Sequence, residues 1–287
     1  MLQAPTGLGR LAPNMPLVLE RGMNWGKVAR WGLNGFAGLV LVYLFVPIAW
    51  IVWFSFNKPK GRYNLVWQTY TLDNWKDPLR NHELTDAFVE SLKIAAISTT
   101  IATVLGSLIA IALSRYQFKG AAGLNLFLVL PLTTPEIVLG SSLATLFLDS
   151  DVTRGFSTVV IAHVMFQVSF VAMTVRARVR GFDWTLEQAA QDLGATPLRT
   201  FWKVTFPLIL PGILAAALLS FALSIDDFII TLFNAGSLQT FPLYVAGSFR
   251  VQFPPQANVL ATMILVASVS LMLLGVVLSA RRERAAR

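Results

Sequence analysis

The sequence predicts an all-α integral membrane protein, and three observations support this fold class. Of the 287 residues, 55% are hydrophobic and only 13% are charged, whereas about 25% are charged in a typical soluble domain. Six windows are each apolar over the roughly 20 residues that a helix needs to cross a bilayer. Apolar residues run continuously through these windows and do not alternate with polar ones, so the windows predict helices rather than barrel strands.

The six predicted transmembrane helices are separated by more polar connections. They cover residues 32–56, 94–113, 121–148, 157–175, 207–233 and 257–280. Residues 1–22 lack periodicity and do not resemble a signal peptide, so we expect a partly disordered cytoplasmic tail over 1–30. The transmembrane domain is then expected over 31–280 and a basic cytoplasmic tail over 281–287.

Basic residues are distributed unevenly between the predicted loops. Fifteen of the 23 lysines and arginines fall on the side that holds both termini. Seven fall on the other side: Lys58, Lys60, Arg62, Lys76, Arg80, Arg154 and Arg250; the remaining one, Lys93, lies at a span boundary. Because cytoplasmic loops carry the excess of basic residues, both termini are predicted to be cytoplasmic, in agreement with an even number of spans. The net charge of +8 is therefore attributed to topology rather than to nucleic-acid binding.

Composition argues against several kinds of site. The chain has no cysteine, which excludes disulfides and thiolate-bound metals. Its two histidines, His82 and His163, are too far apart in sequence for a convincing metal cluster. The sequence has no Gly-rich phosphate loop of the Walker type, so ATP hydrolysis, if the protein depends on it, is expected on another chain. We expect no metal, no cofactor, no catalytic residue and no enzymatic activity in this chain.

Polar and helix-breaking residues occur inside several predicted spans. Pro131 and Pro135 are expected to kink or break the third span, because proline lacks an N–H and clashes with the preceding turn. The carbonyls freed there either line a pore or accompany a simple bend. Pro207 is expected to start the fifth helix. In the fourth span, His163 and Gln167 lie one turn apart and are expected to form interhelical hydrogen bonds rather than to bind a ligand.

Three acidic residues lie inside predicted spans: Glu136, Asp226 and Asp227. Charges are costly within a bilayer and suggest a functional site. At about 1.5 Å per residue, Asp226 lies roughly 28 Å beyond Pro207, in the outer half of its span. Acids near an external mouth would attract a polycation; alternatively, they cap helices or pair with a partner subunit. Neighbours on a continuous helix point about 100° apart, so Asp226 and Asp227 are not expected to face one pathway together.

A polar segment at residues 179–206 separates the fourth and fifth spans. Thr185 followed by Gln188 three residues later indicates a capping box. One apolar face at helical spacing consists of Leu186, Ala189, Ala190 and Leu193,. Gly194 suits the left-handed position that ends a helix, and Pro197 suits the first position of another. The apolar face either docks on another protein or packs against this chain's own helices.

This segment resembles the cytoplasmic signature of the permease subunits of bacterial ATP-binding-cassette importers. The signature is Glu-Ala-Ala, three residues, Gly, nine residues, Ile, one residue and Leu-Pro. Here Gln188 stands at the Glu position, followed by two alanines and by Gly194 at that spacing, with Val204, Phe206 and Pro207 completing the pattern. Three positions depart from the signature, and the neutral Gln188 leaves a salt bridge from that position in doubt.

The resemblance implies that the segment is a coupling helix that docks in a groove of an ATPase subunit. The expected ATPase-coupling residues are Leu186, Glu187, Gln188, Ala189, Ala190, Leu193 and Gly194. Four further stretches resemble the spermidine/putrescine import permeases: TLDNW at 71–75, SLKIAAIST at 91–99, PLTTPEIVLG at 131–140 and SIDDFIITLF at 224–233. That subfamily carries a pair of aspartates within a span, as this chain does.

The resemblance implies a type I importer permease fold in the cell inner membrane. It also implies four kinds of partner: a homologous second permease, two ATP-binding-cassette ATPase subunits, an external polyamine-binding protein and membrane lipid. Asp226, Asp227 and Glu136 would then lie on the translocation path. The alternatives are an importer of the same class for another small cationic or amino-containing solute, and a secondary transporter. Six spans without an internal repeat argue against the secondary transporter.

Overall fold

The structure is a computed structural model that describes the backbone of residues 25–285 and the side chains of residues 30–270 and 273. Most of the tail predicted over 1–30 therefore lies outside the described residues, as do the last two residues of the chain. The helices, in chain order, are α1 Trp25–Phe54, α2 Asp73–Lys76, α3 His82–Arg115, α4 Ala121–Thr133, α5 Glu136–Asp149, α6 Phe156–Val179, α7 Thr185–Asp192, α8 Pro197–Thr200, a π-helical turn Phe201–Thr205, α9 Phe206–Asp226, α10 Ile229–Asn234, α11 Phe241–Val251 and α12 Pro255–Ala285.

The described part of the chain is helical, as predicted, and contains two isolated β-bridges but no strand. The chain divides into two compact units, residues 1–50 and 51–287, with the boundary inside α1. The described residues of the first unit form one apolar helix whose side chains from 31 to 47 are exposed. The second unit holds the other helices and both candidate sites.

The core of the second unit lies where α3, α6 and α9 pack against one another. Small and β-branched residues line this contact, among them Ala102, Val171, Val175 and Ala216, each at most 2% exposed. A Cβ added to Gly106 of α3 would lie 2.7 Å from the Cγ1 atom of Val171. Glycine at this position therefore allows α3 and α6 to approach closely, as small residues do between membrane helices.

The spans differ from the sequence prediction in two places. The predicted third span is two helices, α4 and α5, bent by 108° at a short break. The predicted fifth span is also two helices, because α9 ends at Asp226 and α10 begins at Ile229. Among the described residues, four helices are long and apolar enough to cross a membrane, or five if α4 and α5 form one span. The six-span count and the orientation of the termini remain predictions.

A second apolar cluster lies at the end of α3 opposite Arg115. Leu84 and Ala87 of α3 pack there with Tyr244 of α11 and with Phe253 and Leu260 near the start of α12. Asn81 caps the start of α3: its side-chain oxygen Oδ1 accepts a hydrogen bond from the Leu84 N–H (3.0 Å). This bond satisfies one of the free donors of the first helical turn. The two ends of α3 thus contact different parts of the protein. The segment at residues 179–206, the candidate coupling segment, lies at the Arg115 end.

Candidate functional site

The first helix break separates α4 from α5 at Thr134 and Pro135. The residue before a proline is disfavoured in the helical conformation, and Thr134 is extended. The hydroxyl groups of Thr133 and Thr134 donate to the Leu130 carbonyl, at 3.2 Å and 2.7 Å. The same carbonyl also accepts from the Thr134 N–H at 2.9 Å, so side-chain and backbone hydrogen bonds together close the last turn of α4. The expected break near Pro135 is confirmed.

The second break separates α9 from α10 at Asp227, without any proline or glycine. Asp227 is extended, with ψ of 122°. Its carboxylate Oδ2 accepts hydrogen bonds from the Thr231 N–H (2.8 Å) and the Thr231 hydroxyl (2.7 Å). A carboxylate that accepts from the first turn of a helix stabilises that helix start. The Asp227 side chain therefore holds the beginning of α10, and the expectation of an uninterrupted fifth helix is wrong.

The two breaks lie beside one another because α5 and α10 pack together. A Cβ on Gly140 of α5 would lie 3.1 Å from the Cα of Ile230 in α10. The Asn234 side chain of α10 donates to the Gly140 carbonyl at 3.2 Å. A cavity of about 490 Å³ lies at the breaks and is lined by residues of both, including Pro135, Glu136, Asp226 and Asp227.

The three predicted path residues all line this cavity, but they differ in exposure. Glu136, in the first turn of α5, and Asp226, the last residue of α9, are exposed. The Asp227 side chain is only 4% exposed. Because Asp227 lies outside the helix, the expected angle of about 100° between two helical neighbours does not apply to this pair. Exposed carboxylates and a buried structural one thus meet at one cavity.

His163 of α6 is the centre of a buried polar network. Its Nε2 lies 2.9 Å from the Thr231 hydroxyl and 3.3 Å from Asp227 Oδ2. Its Nδ1 lies 2.7 Å from the Ser224 hydroxyl, which in turn lies 3.2 Å from the hydroxyl of Ser98 in α3. A ring protonated on Nε2 donates towards α10 and accepts from Ser224 through Nδ1.

Gln167 completes this network by donating to the Ser98 hydroxyl at 3.3 Å. The prediction that His163 and Gln167 make interhelical hydrogen bonds is therefore confirmed. Sequence inspection missed Ser98, Ser224 and Thr231, since single hydroxyl residues in apolar helices are common. Of these three residues, only Thr231 could have been found from the sequence, through its position four residues after Asp227.

The candidate coupling segment begins with a cap that differs from the predicted one. Thr185 is the first residue of α7 rather than its cap. Asp183 provides the acceptor instead, for the Thr185 hydroxyl (2.7 Å) and N–H (3.0 Å). These hydrogen bonds hold the pKa of the Asp183 carboxyl below its ordinary value. The proposed capping box of Thr185 and Gln188 is therefore wrong.

The turn after α7 has the predicted form. Gly194 adopts φ of +85°, a conformation that side chains other than glycine rarely adopt. Pro197 is the first residue of α8, and the Thr196 hydroxyl accepts from the Arg199 N–H at 3.4 Å. The segment is a short helix, a glycine turn and a second short helix, followed by a π-helical turn that the sequence did not predict and then by α9.

The apolar face of α7 points away from this chain. Leu186 is 45% exposed and Leu193 is 89% exposed, Ala189 and Gln188 are exposed, and Ala190 is half-buried. The buried residue of α7 is Glu187, at 5% exposure. The arrangement reverses the usual pattern, in which the apolar face of a helix lies against its own protein.

Glu187 contacts two residues that are distant in sequence. Its Oε2 lies 2.8 Å from Nη2 of Arg115, the last residue of α3. Its Oε1 accepts a hydrogen bond from the hydroxyl of Thr205, the last residue of the π-helical turn. The Arg115 guanidinium also lies 5.7 Å from the ring centre of Trp184. Neither Arg115 nor Thr205 was recognised from the sequence, because no local pattern connects them with Glu187.

No group of three or more potential metal ligands occurs among the described residues. The first candidate site, at the helix breaks, consists of carboxylates, hydroxyls and one imidazole. The second is the short helix α7, which is held by Glu187 and has an exposed apolar face. Exposed carboxylates attract cations, and an exposed apolar helix face suits a groove on a protein surface.

Comparisons with known proteins agree with these features. The chain is 37% identical over 243 residues to the spermidine/putrescine transport system permease protein PotC of Haemophilus influenzae, covering 84% of this chain and 93% of that protein. It is 37% identical over 235 residues to the putrescine transport system permease protein PotI of Escherichia coli K12, covering 79% and 83%. The fold matches a bacterial ABC transporter involved in import of alginate, with a TM-score of 0.61 and 14% identity, over 87% of this chain and 96% of that one.

A family model covers most of the second unit. The model described as "Binding-protein-dependent transport system inner membrane component" matches residues 86–284, a range that includes both helix breaks and the candidate coupling segment. The chain belongs to this family of inner membrane permease components.

Proposed function

We propose that this chain is the permease subunit of an ATP-driven importer for polyamines such as spermidine and putrescine. The observation that supports the substrate class most directly is the pair of exposed carboxylates, Glu136 and Asp226, at one cavity between two broken helices. Polyamines are flexible polycations, so separate carboxylates along a path suit their spaced ammonium groups. The names of the relatives support the same class.

The broken helices suit a translocation path. Transporters bind substrates at discontinuous helices, where unwound backbone and acidic side chains replace water around a charged substrate. Acidic residues in membrane segments usually face a water-filled cavity or a partner. In our proposal Asp226 and Glu136 contact the substrate, whereas Asp227 contributes by holding the break open. The external binding protein delivers the substrate to this cavity.

The proposed assembly contains this chain, a sister permease, two ATPase subunits and an external binding protein. The chain has six spans of the type I importer fold, with both termini in the cytoplasm. The exposed apolar helix α1 and the exposed apolar face of α7 suit contacts with lipid, with the sister permease and with an ATPase subunit. Closure of the ATPase pair moves the segment 179–206, and the spans change from inward-facing to outward-facing.

Uptake assays test the substrate. Cells that lack this chain are complemented with the wild type, Asp226→Asn, Glu136→Gln or the control Asp149→Asn, which alters an exposed carboxylate at the far end of α5. We expect labelled spermidine uptake with the wild type and the control, and a fall of about tenfold for each path variant, equivalent to about 1.4 kcal/mol. Full uptake by both path variants contradicts the proposed path.

The same assay separates the alternatives. If the wild type restores no polyamine uptake but purifies with an ATPase subunit, the chain serves another cationic or amino-containing solute. If no ATPase subunit accompanies the full chain in mild detergent and uptake follows an ion gradient, the chain is a secondary transporter.

A further inference from the structure

Glu187 faces its own chain, although the sequence pattern places it among residues that dock on an ATPase. We propose that Glu187, together with Arg115 and Thr205, forms a link that makes α7 move as one body with the adjoining ends of α3 and α9. In this arrangement Glu187 and Arg115 are positioning residues. The inference rests on the proposed importer function and deepens it, because it explains how movement of the coupling segment is transmitted to the membrane-spanning helices.

The contacts of Glu187 join three elements at one carboxylate. Oε2 lies 2.8 Å from Nη2 of Arg115, and Oε1 lies 3.4 Å from Nη1 of the same guanidinium. This paired arrangement restricts orientation more than a single contact does. Oε1 also accepts the Thr205 hydroxyl. A displacement of α7 therefore acts on the last residue of α3 and on the residue before α9.

The environment makes this link costlier to break than an ordinary surface ion pair. The Glu187 side chain is 7% exposed and the Arg115 side chain is 32% exposed. Breaking a buried pair by removing one partner leaves an uncompensated charge, whereas exposed pairs contribute little. The Arg115 guanidinium is held in addition over the rings of Trp184 and Tyr116, 5.7 Å from each centre.

The π-helical turn places Thr205 where the link can affect α9. Single π-helical turns within helices are rare and are frequent at functional sites. This turn, Phe201–Thr205, joins α8 to α9, and Thr205 is buried at 1% exposure. Two faces of α7 thus have separate tasks: Leu186 and Leu193 face outward towards a partner, and Glu187 faces inward towards the spans.

Coupling between hydrolysis and uptake is the first test. The purified full complex is reconstituted in vesicles, and ATP hydrolysis and uptake are measured together for the wild type, Glu187→Gln, Arg115→Glu and the double variant Glu187→Arg with Arg115→Glu. The matched control is Asp192→Asn, which removes an exposed carboxylate from the same helix. We expect Glu187→Gln to lower uptake per ATP by about 2-fold to 30-fold, the range typical of coupling mutations, and the control to leave it unchanged.

Restoration by the charge exchange distinguishes a link from a docking contact. The double variant is expected to regain more uptake per ATP than Arg115→Glu alone, since an opposite-charge pair is restored within this chain. If Glu187→Gln instead prevents the ATPase subunit from purifying with the chain, or if it leaves coupling unchanged, the proposal is overturned.

A distance measurement tests the link without relying on any substrate. The natural chain has no cysteine, so pairs of spin labels are placed through Gln191→Cys with Leu108→Cys, and through Gln191→Cys with Leu208→Cys. All three positions are exposed, on α7, α3 and α9 respectively. In the wild type both distances are expected to stay constant between nucleotide-free and ATP-bound complexes. In the Glu187→Gln variant, the two distance distributions are expected to become broader than in the wild type or to shift between these states.

Either distance changing with ATP in the wild type overturns the rigid link, as does an unchanged distribution in Glu187→Gln. Because this readout needs only ATP and the assembled complex, it remains informative if polyamines prove not to be the substrate. Failure of the link is therefore distinguishable from failure of the proposed function.

Discussion

Asp227 lies 3.3 Å from His163, through Oδ2 and Nε2, and both side chains are almost fully buried. The contact joins α6 to the break between α9 and α10. It is reinforced by Thr231, whose hydroxyl contacts both residues, at 2.7 Å from Asp227 and 2.9 Å from His163. The two adjacent aspartates consequently have different surroundings, since Asp226 has an exposed side chain. One aspartate therefore stabilises the break, and the other is accessible at the cavity.

The two aspartates are expected to differ when each is neutralised. Asp227→Asn removes the charged acceptor at the start of α10 and is expected to lower complex stability by about 1.5–3 kcal/mol, the value of a hydrogen bond to a charged group. Asp226→Asn is expected to leave stability unchanged and to raise the KM for uptake. Thermal unfolding of the purified complex and uptake kinetics measure the two effects. Equal loss of stability in both variants would contradict the assignment of a structural role to Asp227 and not to Asp226.

Replacement of His163 is expected to destabilise the same break. His163→Phe removes one partner from each of Ser224, Thr231 and Asp227, and each lost hydrogen bond contributes about 0.5–1.5 kcal/mol. The chain offers a matched control in His82→Phe, because His82 is exposed at the start of α3. Tm is expected to fall for His163→Phe and not for the control. An unchanged Tm for His163→Phe would show that the network contributes nothing to stability.

Gly140 is expected to tolerate no larger side chain. A Cβ at this position would lie 3.1 Å from both the Ile230 Cα and a Phe233 ring carbon, so Gly140→Val must push α10 away from α5 and is expected to cost about 1–3 kcal/mol. The control is Gly123→Val, since nothing lies within 4 Å of a Cβ at Gly123 of α4. Tm and complex yield measure the effect. Similar values for both variants would indicate that α5 and α10 do not pack closely.

The exposed face of α7 is expected to matter for partner binding but not for folding. Leu193 is 89% exposed, so Leu193→Glu is expected to disturb few contacts within this chain. We expect normal membrane insertion and loss of most ATPase subunit from the purified complex. The control is Gln191→Glu, a change at an exposed polar position of the same helix. Retention of the ATPase by Leu193→Glu, with normal uptake, would exclude this face as a docking surface.

Ala190→Glu probes the boundary of that face. Ala190 is half-buried, and the added carboxylate would lie at the edge of the exposed face of α7, near Glu187. ATP hydrolysis without matching uptake is the expected result, because a bulky charge prevents close approach of a partner backbone. The ratio of uptake to ATP hydrolysed is measured in reconstituted vesicles. A ratio equal to that of the wild type would contradict the expectation.

Local sequence features predicted much of this protein correctly because they act over a few residues. Long apolar windows predicted helices, since a backbone in hydrocarbon must satisfy its own hydrogen bonds. Gly194 and Pro197 predicted the turn after α7 through backbone restrictions that need no tertiary context. Pro135 predicted the first break for the same reason.

The second break could not be predicted in this way. No proline or glycine marks Asp227, and an aspartate followed by apolar residues is compatible with a continuing helix. The break depends on Thr231 and on His163, which comes from another helix. Likewise, the apolar pattern of α7 was correct, but which face points inward depends on Arg115, 72 residues before Glu187 in the chain.

The sequence by itself determined the helical membrane class, the glycine turn after α7, and the presence of acidic residues within apolar windows. Only the tertiary structure decided which carboxylates serve structure and which are exposed: Asp227 and Glu187 are buried against partners, and Asp226 and Glu136 line a cavity. The physical reason is that the cost of burying a charge is set by the partners that meet it. Those partners are brought together by packing of distant helices rather than by the spacing of residues along the chain.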